Sequence, residues 1–134
     1  MMMLISKTAL VAAAAFAIGL PIHAGMPQQG AFTVDENMAK RGKQVWERKG
    51  CFGCHQIGKP LAGPDLMGVH ERRSLDWLRR WLKNTNEMLQ TDSIAQAMLA
   101  EAKNQKMPQQ NLSDADIDAL IHYIARETNK RRGG

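Results

Sequence analysis

The stretch "CFGCH", Cys51 to His55, holds the only two cysteines of the 134-residue chain, three positions apart, with a histidine directly after the second. Thiols at this spacing have few chemical uses. Structural zinc as a rule takes four ligands, and beyond the two thiols the sequence downstream of residue 24 offers only His55, His70 and His122, scattered along it. A thioredoxin-like redox pair needs a strand ahead of the motif within a βαβ pattern, and the sequence has neither. A plain disulfide would leave His55 unexplained. Haem attachment gives all three residues a use, because each thiol adds to one vinyl group of the porphyrin while the imidazole reaches the iron.

Elements on either side must position such a motif. Helical spacing begins around Asp35, with Met38, Gly42, Val45 and Trp46 on one side and Lys40, Arg41, Lys43 and Glu47 on the other, and Gly50 ends it. From Cys51 to His70 the chain is rich in Gly and Pro and is expected to be loop. A second helix is signalled by Ser74 as N-cap, with Leu75, Leu78, Leu82, Trp77 and Trp81 at three- and four-residue intervals, and it should stop near Asn84. A weaker pattern from Ser93 to Ala102 turns Ile94, Ala97 and Met98 inward. The last helix starts at Ser113, whose S-x-x-D pattern to Asp116 is a variant of the capping box, and Asp114 and Asp118 suit the positive end of its dipole. Ile117, Leu120, Ile121 and Ile124 supply its apolar face. Aromatic content is only 5%, and no run alternates apolar and polar residues with β-branched enrichment. The expected class is therefore all-α, about four short helices and loops wrapped around one covalently bound haem.

Residues 1–24 stand apart from that fold. Lys7 is their one charge, the apolar run "TALVAAAAFAIGL" is signal-like in length, and "IHA" ends in a small residue suited to cleavage after Ala24. The competing possibility is an uncleaved membrane anchor, for which the run is short. Cleavage leaves residues 25–134, the size of one domain, in the periplasm with no stable membrane insertion. The formal net charge is +5, and Lys7 is the only charge lost. Basic residues recur along the chain instead of forming one block, apart from the terminal "NKRRGG", so nucleic acid is not an expected partner.

Three segments taken in order, "RGKQVWERKGCFGCH", "AGPDLMGVHERR" and "KMPQQNLSDADIDALIHYIA", resemble the small single-haem c-type cytochromes of the His/Met kind. The resemblance extends over nearly all of residues 25–134 and implies the cytochrome c fold with haem c attached through Cys51 and Cys54. It further implies that His55 is the proximal iron ligand, its ring fixed by the carbonyl of Pro64. Gly42 and Trp46 of the first helix would cross the last helix at Leu120 and Tyr123. Leu66 would line the haem pocket, Arg72, or Arg73 beside it, would bind a propionate through a charge-assisted hydrogen bond, and Trp81 could donate its indole N–H to a propionate. The sixth ligand is chosen among Met26, Met38, Met67, Met88, Met98 and Met107. Met107, between the loop "KNQK" and Pro108, is the position that the resemblance indicates. Met38 and Met98 lie on predicted apolar faces, Met67 and Met88 in loops or at helix ends, and His70 and His122 form the bis-histidine alternative.

Iron held by an imidazole and a thioether has no open position for substrate, which favours one-electron exchange over enzymatic chemistry. The resemblance thus implies a soluble periplasmic electron carrier and not an enzyme. Its donor and acceptor would be redox proteins meeting it transiently, through acidic docking surfaces that face Lys59 and Lys106. The alternative is a single-haem electron-entry subunit held permanently within a larger periplasmic oxidoreductase.

Overall fold

The computed structural model describes residues 31–134; the expected export segment, residues 1–24, and Met26 lie outside the described residues. Six α-helices follow in order: α1 Glu36–Arg48, α2 Val69–Arg72, α3 Leu75–Lys83, α4 Thr85–Thr91, α5 Ser93–Glu101 and α6 Asp114–Arg132. A 3-10 turn, Cys51–Gly53, lies between α1 and α2, and the described residues contain no strand. The all-α architecture is as expected, with α2 and α4 added to the four anticipated helices.

Side-chain caps set most helix starts. The Asp35 carboxylate accepts from the Met38 amide at 2.9 Å, the Ser74 hydroxyl from Trp77 at 3.1 Å, and the Ser113 hydroxyl from Asp116 at 3.1 Å. Asn84 ends α3 and also opens α4, accepting from the Glu87 amide at 3.3 Å while its own amide donates to the Glu87 carboxylate at 2.6 Å. That reciprocal pair is legible as N-x-x-E and marks a helix start absent from the expected set. Met88 is consequently a buried helical residue and not a loop residue.

The Cys51–His70 stretch is loop except at the 3-10 turn and at its end, where α2 begins. One helical turn has too little periodicity to announce itself, and distant contacts hold it. The Gly68 amide donates to the buried Thr128 hydroxyl on α6 at 3.0 Å, and Arg132 grips the Glu71 carboxylate with two bonds of 2.7 and 2.8 Å. In α5 the expected inward set needs correction: Ala95 is fully buried, Met98 is half-buried, and Ile94 (40% exposed) and Ala97 face outward. With alanines on several sides the apolar stripe has no unique phase, and the Asp92 cap together with packing on α4 selects Ala95.

α1 and α6 make the principal crossing. A side chain on Gly42 would run into the Ala119 carbonyl group and come within 2.7 Å of the Tyr123 Cβ, so at this point the two backbones are separated by little more than a hydrogen atom. Trp46 and Tyr123 meet next to it with ring centroids 5.6 Å apart. At this crossing Gly42 abuts the Ala119 carbonyl and the Tyr123 Cβ, and Leu120 faces the interior beside Ile124. Around this crossing the core gathers Val45, Trp46, Ile57, Trp77, Leu78, Met88, Ile117 and Ile121.

His70 and His122 flank Phe32, whose ring centroid is 5.5 Å from the first and 4.7 Å from the second. The Asp35 amide donates to Nδ1 of His122 at 3.0 Å, which ties the lead-in segment to α6. His70 is buried with Nδ1 unpartnered and Nε2 3.6 Å from the Glu71 carboxylate. Burial pushes its pKa below the ordinary 6.5; Glu71 opposes that shift, and Arg132 and Arg72 add to it.

Two outcomes are expected. Gly42→Ala should force the helices apart and lower unfolding stability by ~1–3 kcal/mol as an overpacked contact, whereas Gly133→Ala, whose added carbon meets only an ordinary 3.5 Å neighbour, should leave the urea midpoint almost unchanged. For His70 the folded pKa lies below the unfolded one, so between those two values the unfolded chain binds the extra proton and stability is lost as pH falls. Urea midpoints measured across that window should decline on acidification, and His70→Leu, which removes both the titration and the unsatisfied nitrogen, should flatten the decline.

Candidate functional site

The end of α1 delivers the cysteine motif. Gly50, at φ 68°, turns the chain out of the helix into the 3-10 turn, and the His55 amide closes onto the Cys51 carbonyl at 2.9 Å. Cys51 is half-buried and Cys54 exposed, and the two are not joined to each other.

His55 is oriented by the loop that follows. Its Nδ1–H donates to the Pro64 carbonyl at 3.1 Å, which specifies the tautomer and leaves Nε2 with its lone pair. Gly63 makes this possible, because a side chain there would overlap the His55 ring and sit 2.7 Å from Nδ1. The Gly63 amide donates to the Cys54 carbonyl, so motif and loop close on each other. Pro64 was expected here but Gly63 was not; the Gly-Pro dipeptide was the available signal.

His55 and Cys51 form part of the wall of an apolar cavity of about 450 Å³, within the ~300–1,000 Å³ usual for cofactor sites. The wall continues through Pro64, Leu66 and Arg72, then Trp77 and Trp81 of α3, Leu89, Met98 and Leu99 of α4 and α5, Met107, and Leu120 and Ile124 of α6. Of the residues singled out from sequence, the cavity brings together Cys51, His55, Pro64, Leu66, Arg72, Trp81 and Met107; Cys54 lies on the outer side of its turn. Among the described residues the methionines on the wall are Met98 and Met107. Met38, Met67 and Met88 are elsewhere, as are His70 and His122.

Trp77 and Trp81 stack at 5.6 Å with their planes 9° apart, and Arg73 lies over Trp77 at 5.6 Å. The Trp77 indole is engaged by Asp92 at 3.1 Å. Arg72 points one arm of its guanidinium at the Asp65 carbonyl, at 2.9 Å, and the other at the Met67 carbonyl. The segment before Met107 carries two successive left-handed residues, Lys103 (φ 51°) and Asn104 (φ 64°), which reverse the chain after α5 and bring the methionine back to the wall. An apolar cavity with one imidazole of set tautomer, a thiol at its edge and thioethers on its wall has the donors for a covalently bound iron porphyrin.

Comparison with known proteins gives the same family from sequence and from structure. The family model described as cytochrome c matches residues 39–127. Subunit 2 of cytochrome c oxidase from Alkalihalophilus pseudofirmus is 31% identical over 91 residues, covering 66% of this chain and 25% of the oxidase polypeptide. A nitric oxide reductase subunit from Stutzerimonas stutzeri is 33% identical over 92 residues, 63% of this chain and 54% of that one. The chain thus spans a quarter of the first relative's length and about half of the second's. Among solved structures, cytochrome c from Rhodothermus marinus superposes with a TM-score of 0.68 at 23% identity, over 79% of this chain and 91% of the other, a likeness of fold. The cytochrome c domain of a Pseudomonas putida protein gives 0.61 at 36% identity, over 68% and 91%. With the match over residues 39–127 lying on a helical cage whose cavity the C-x-x-C-H segment borders, this chain belongs to the cytochrome c family, whose members carry covalently attached haem c and transfer electrons.

Proposed function

We propose that the chain is a periplasmic single-haem electron carrier whose haem is joined through Cys51 and Cys54 and whose iron is held by His55 and Met107. The observation that carries this reading is the shared cavity wall: His55, with its tautomer set by Pro64, and Met107, at the end of its left-handed turn, both border one apolar space. The haem, when bound, supplies a reversible one-electron change at its iron. The chain's own residues do the rest. Pro64 holds the Nδ1 proton and so keeps Nε2 a donor of electron density. Trp46, Trp77, Trp81, Leu120 and Ile124 exclude water, and Arg72 or Arg73 at the cavity edge could meet a propionate.

With His55 and Met107 both bound to it, the iron would have no position left for substrate, which favours a carrier over an enzyme. Periplasmic location rests on the signal-like sequence expected in residues 1–24. Among the described residues, no helix is long and apolar enough to cross a membrane. Lys59 and Lys106 are exposed and enter no ion pair among the described residues, and exposed Phe52 and Leu61 stand on the motif and on the loop tied to it. An apolar centre with lysines nearby suits brief docking on an acidic redox protein, either donor or acceptor. The second reading, an electron-entry subunit of a larger oxidoreductase, draws on the two relatives named as subunits. A stoichiometric partner that persists through size-exclusion chromatography would favour it.

Acidified organic solvent should leave the colour on the polypeptide, and complete extraction would contradict thioether attachment at Cys51 and Cys54. Met107→Ala should lower the reduction potential and let the reduced iron bind carbon monoxide, with helix content near wild type by circular dichroism. Met88→Ala, in the core away from the cavity, should leave the potential in place and reduce stability by ~2–5 kcal/mol. Retention of the wild-type potential and of the sulfur-to-iron charge-transfer band in Met107→Ala would assign the ligand to another residue.

A further inference from the structure

We propose that Asp65 is a positioning residue for His55, acting through the peptide unit that carries the Pro64 carbonyl. The inference rests on the reading of His55 as an iron ligand and goes beyond it to the group that controls the ligand's hydrogen bond. The Pro64 oxygen belongs to the peptide plane linking Pro64 to Asp65, so rotation about the Asp65 N–Cα bond swings the acceptor of the His55 Nδ1–H bond.

Asp65 is held against that rotation from three directions. One carboxylate oxygen accepts from the Gly58 amide at 2.7 Å and from the Met67 amide at 2.8 Å, clamping both ends of the loop that contains Pro64. Its own carbonyl accepts from the Arg72 guanidinium at 2.9 Å, and the other arm of Arg72 reaches the Met67 carbonyl. Gly58, at φ 103°, adopts a backbone conformation that only glycine takes readily, and this presents its amide to the carboxylate. A lone carboxylate at a loop would be an ordinary turn former. Here, however, the residue that carries it contributes half of the peptide bearing the acceptor of the His55 bond.

The mechanism is one of geometry and basicity. A well-aligned Nδ1–H···O=C bond makes the imidazole a stronger donor through Nε2, which favours the oxidised iron. A slack loop weakens that bond without removing any group that touches haem or iron.

The test uses the haem-loaded protein and follows the His55 Nδ1–H by NMR alongside the reduction potential. In Asp65→Ala, which removes both acceptor contacts, that proton should exchange with solvent faster by at least about tenfold, the lower end expected when hydrogen bonds to a charged group are lost, and the potential should rise. Asp65→Asn keeps an acceptor oxygen and should restore both readings towards wild type. If Asp65→Ala is unstable but retains wild-type exchange and potential, or if Asp65→Asn behaves like Asp65→Ala, the inference is overturned. Should Asp65→Ala fail to accumulate, Arg72→Ala removes the two donors to the loop carbonyls and decides the matter by exchange rate: faster exchange supports positioning, and an unchanged rate overturns it. The ligand reading is checked separately. A His55 ring without paramagnetic shifts in the oxidised wild-type protein would refute that reading and the inference with it.

Discussion

Residues 42 and 119 meet backbone to backbone, and much of the molecule follows from that approach. Only a glycine lets α1 settle so closely on α6, and the short separation allows Trp46 and Tyr123 to pack next to it. With the Ala119 carbonyl at the contact point, Leu120 and Ile124 of the same helix join Trp46 in the cavity wall. The same crossing fixes the direction in which α1 ends. Gly50 then turns the chain so that Cys51 and His55 come to the edge of that cavity. Helix packing and cofactor site are thus one arrangement, with the crossing as its fulcrum.

The three histidines among the described residues show how environment divides one side chain into separate roles. His55 is half-exposed, with Nδ1 committed to the Pro64 carbonyl. His122 accepts from the Asp35 amide, so its Nδ1 is unprotonated and serves as a tether for the lead-in segment. His70 is buried beside Phe32 with a ring nitrogen unsatisfied, and desolvation disfavours its charged form. Only the first faces the cavity.

Surface charge has a secondary part. Pairs such as Arg79 with Asp118 and Lys83 with Asp114 join α3 to α6 but are largely exposed, where such pairs contribute about 0–1 kcal/mol each. The Glu71–Arg132 fork matters more for geometry than for energy, because with the Gly68–Thr128 bond it anchors the single turn of α2 to the end of α6. That anchor places Arg72 where its guanidinium reaches back to the loop beside His55.

Local features were legible in the order of residues. Asp35, Ser74 and Ser113 are caps whose hydrogen bonds close within three residues, and the apolar spacing of α1, α3 and α6 requires no knowledge of what they pack against. The motif could be read because covalent attachment demands two thiols and an imidazole at short spacing, whereas the part of the Pro64 carbonyl came from the resemblance alone, since every residue offers a carbonyl. Other features waited on packing. α2 exists through bonds to residues about 60 positions away; the phase of α5 was chosen by its neighbour; and the contact of Gly42 with the Ala119 carbonyl depends on an angle between two helices that is not written in either one. The bonds around Asp65 likewise join residues 58, 65, 67 and 72, whose individual identities look like ordinary loop chemistry until folding brings them to one peptide plane. Short-range hydrogen bonds and helical periodicity are properties of a segment, whereas close approach and shared cavities belong to pairs of segments and arise only when the chain is packed.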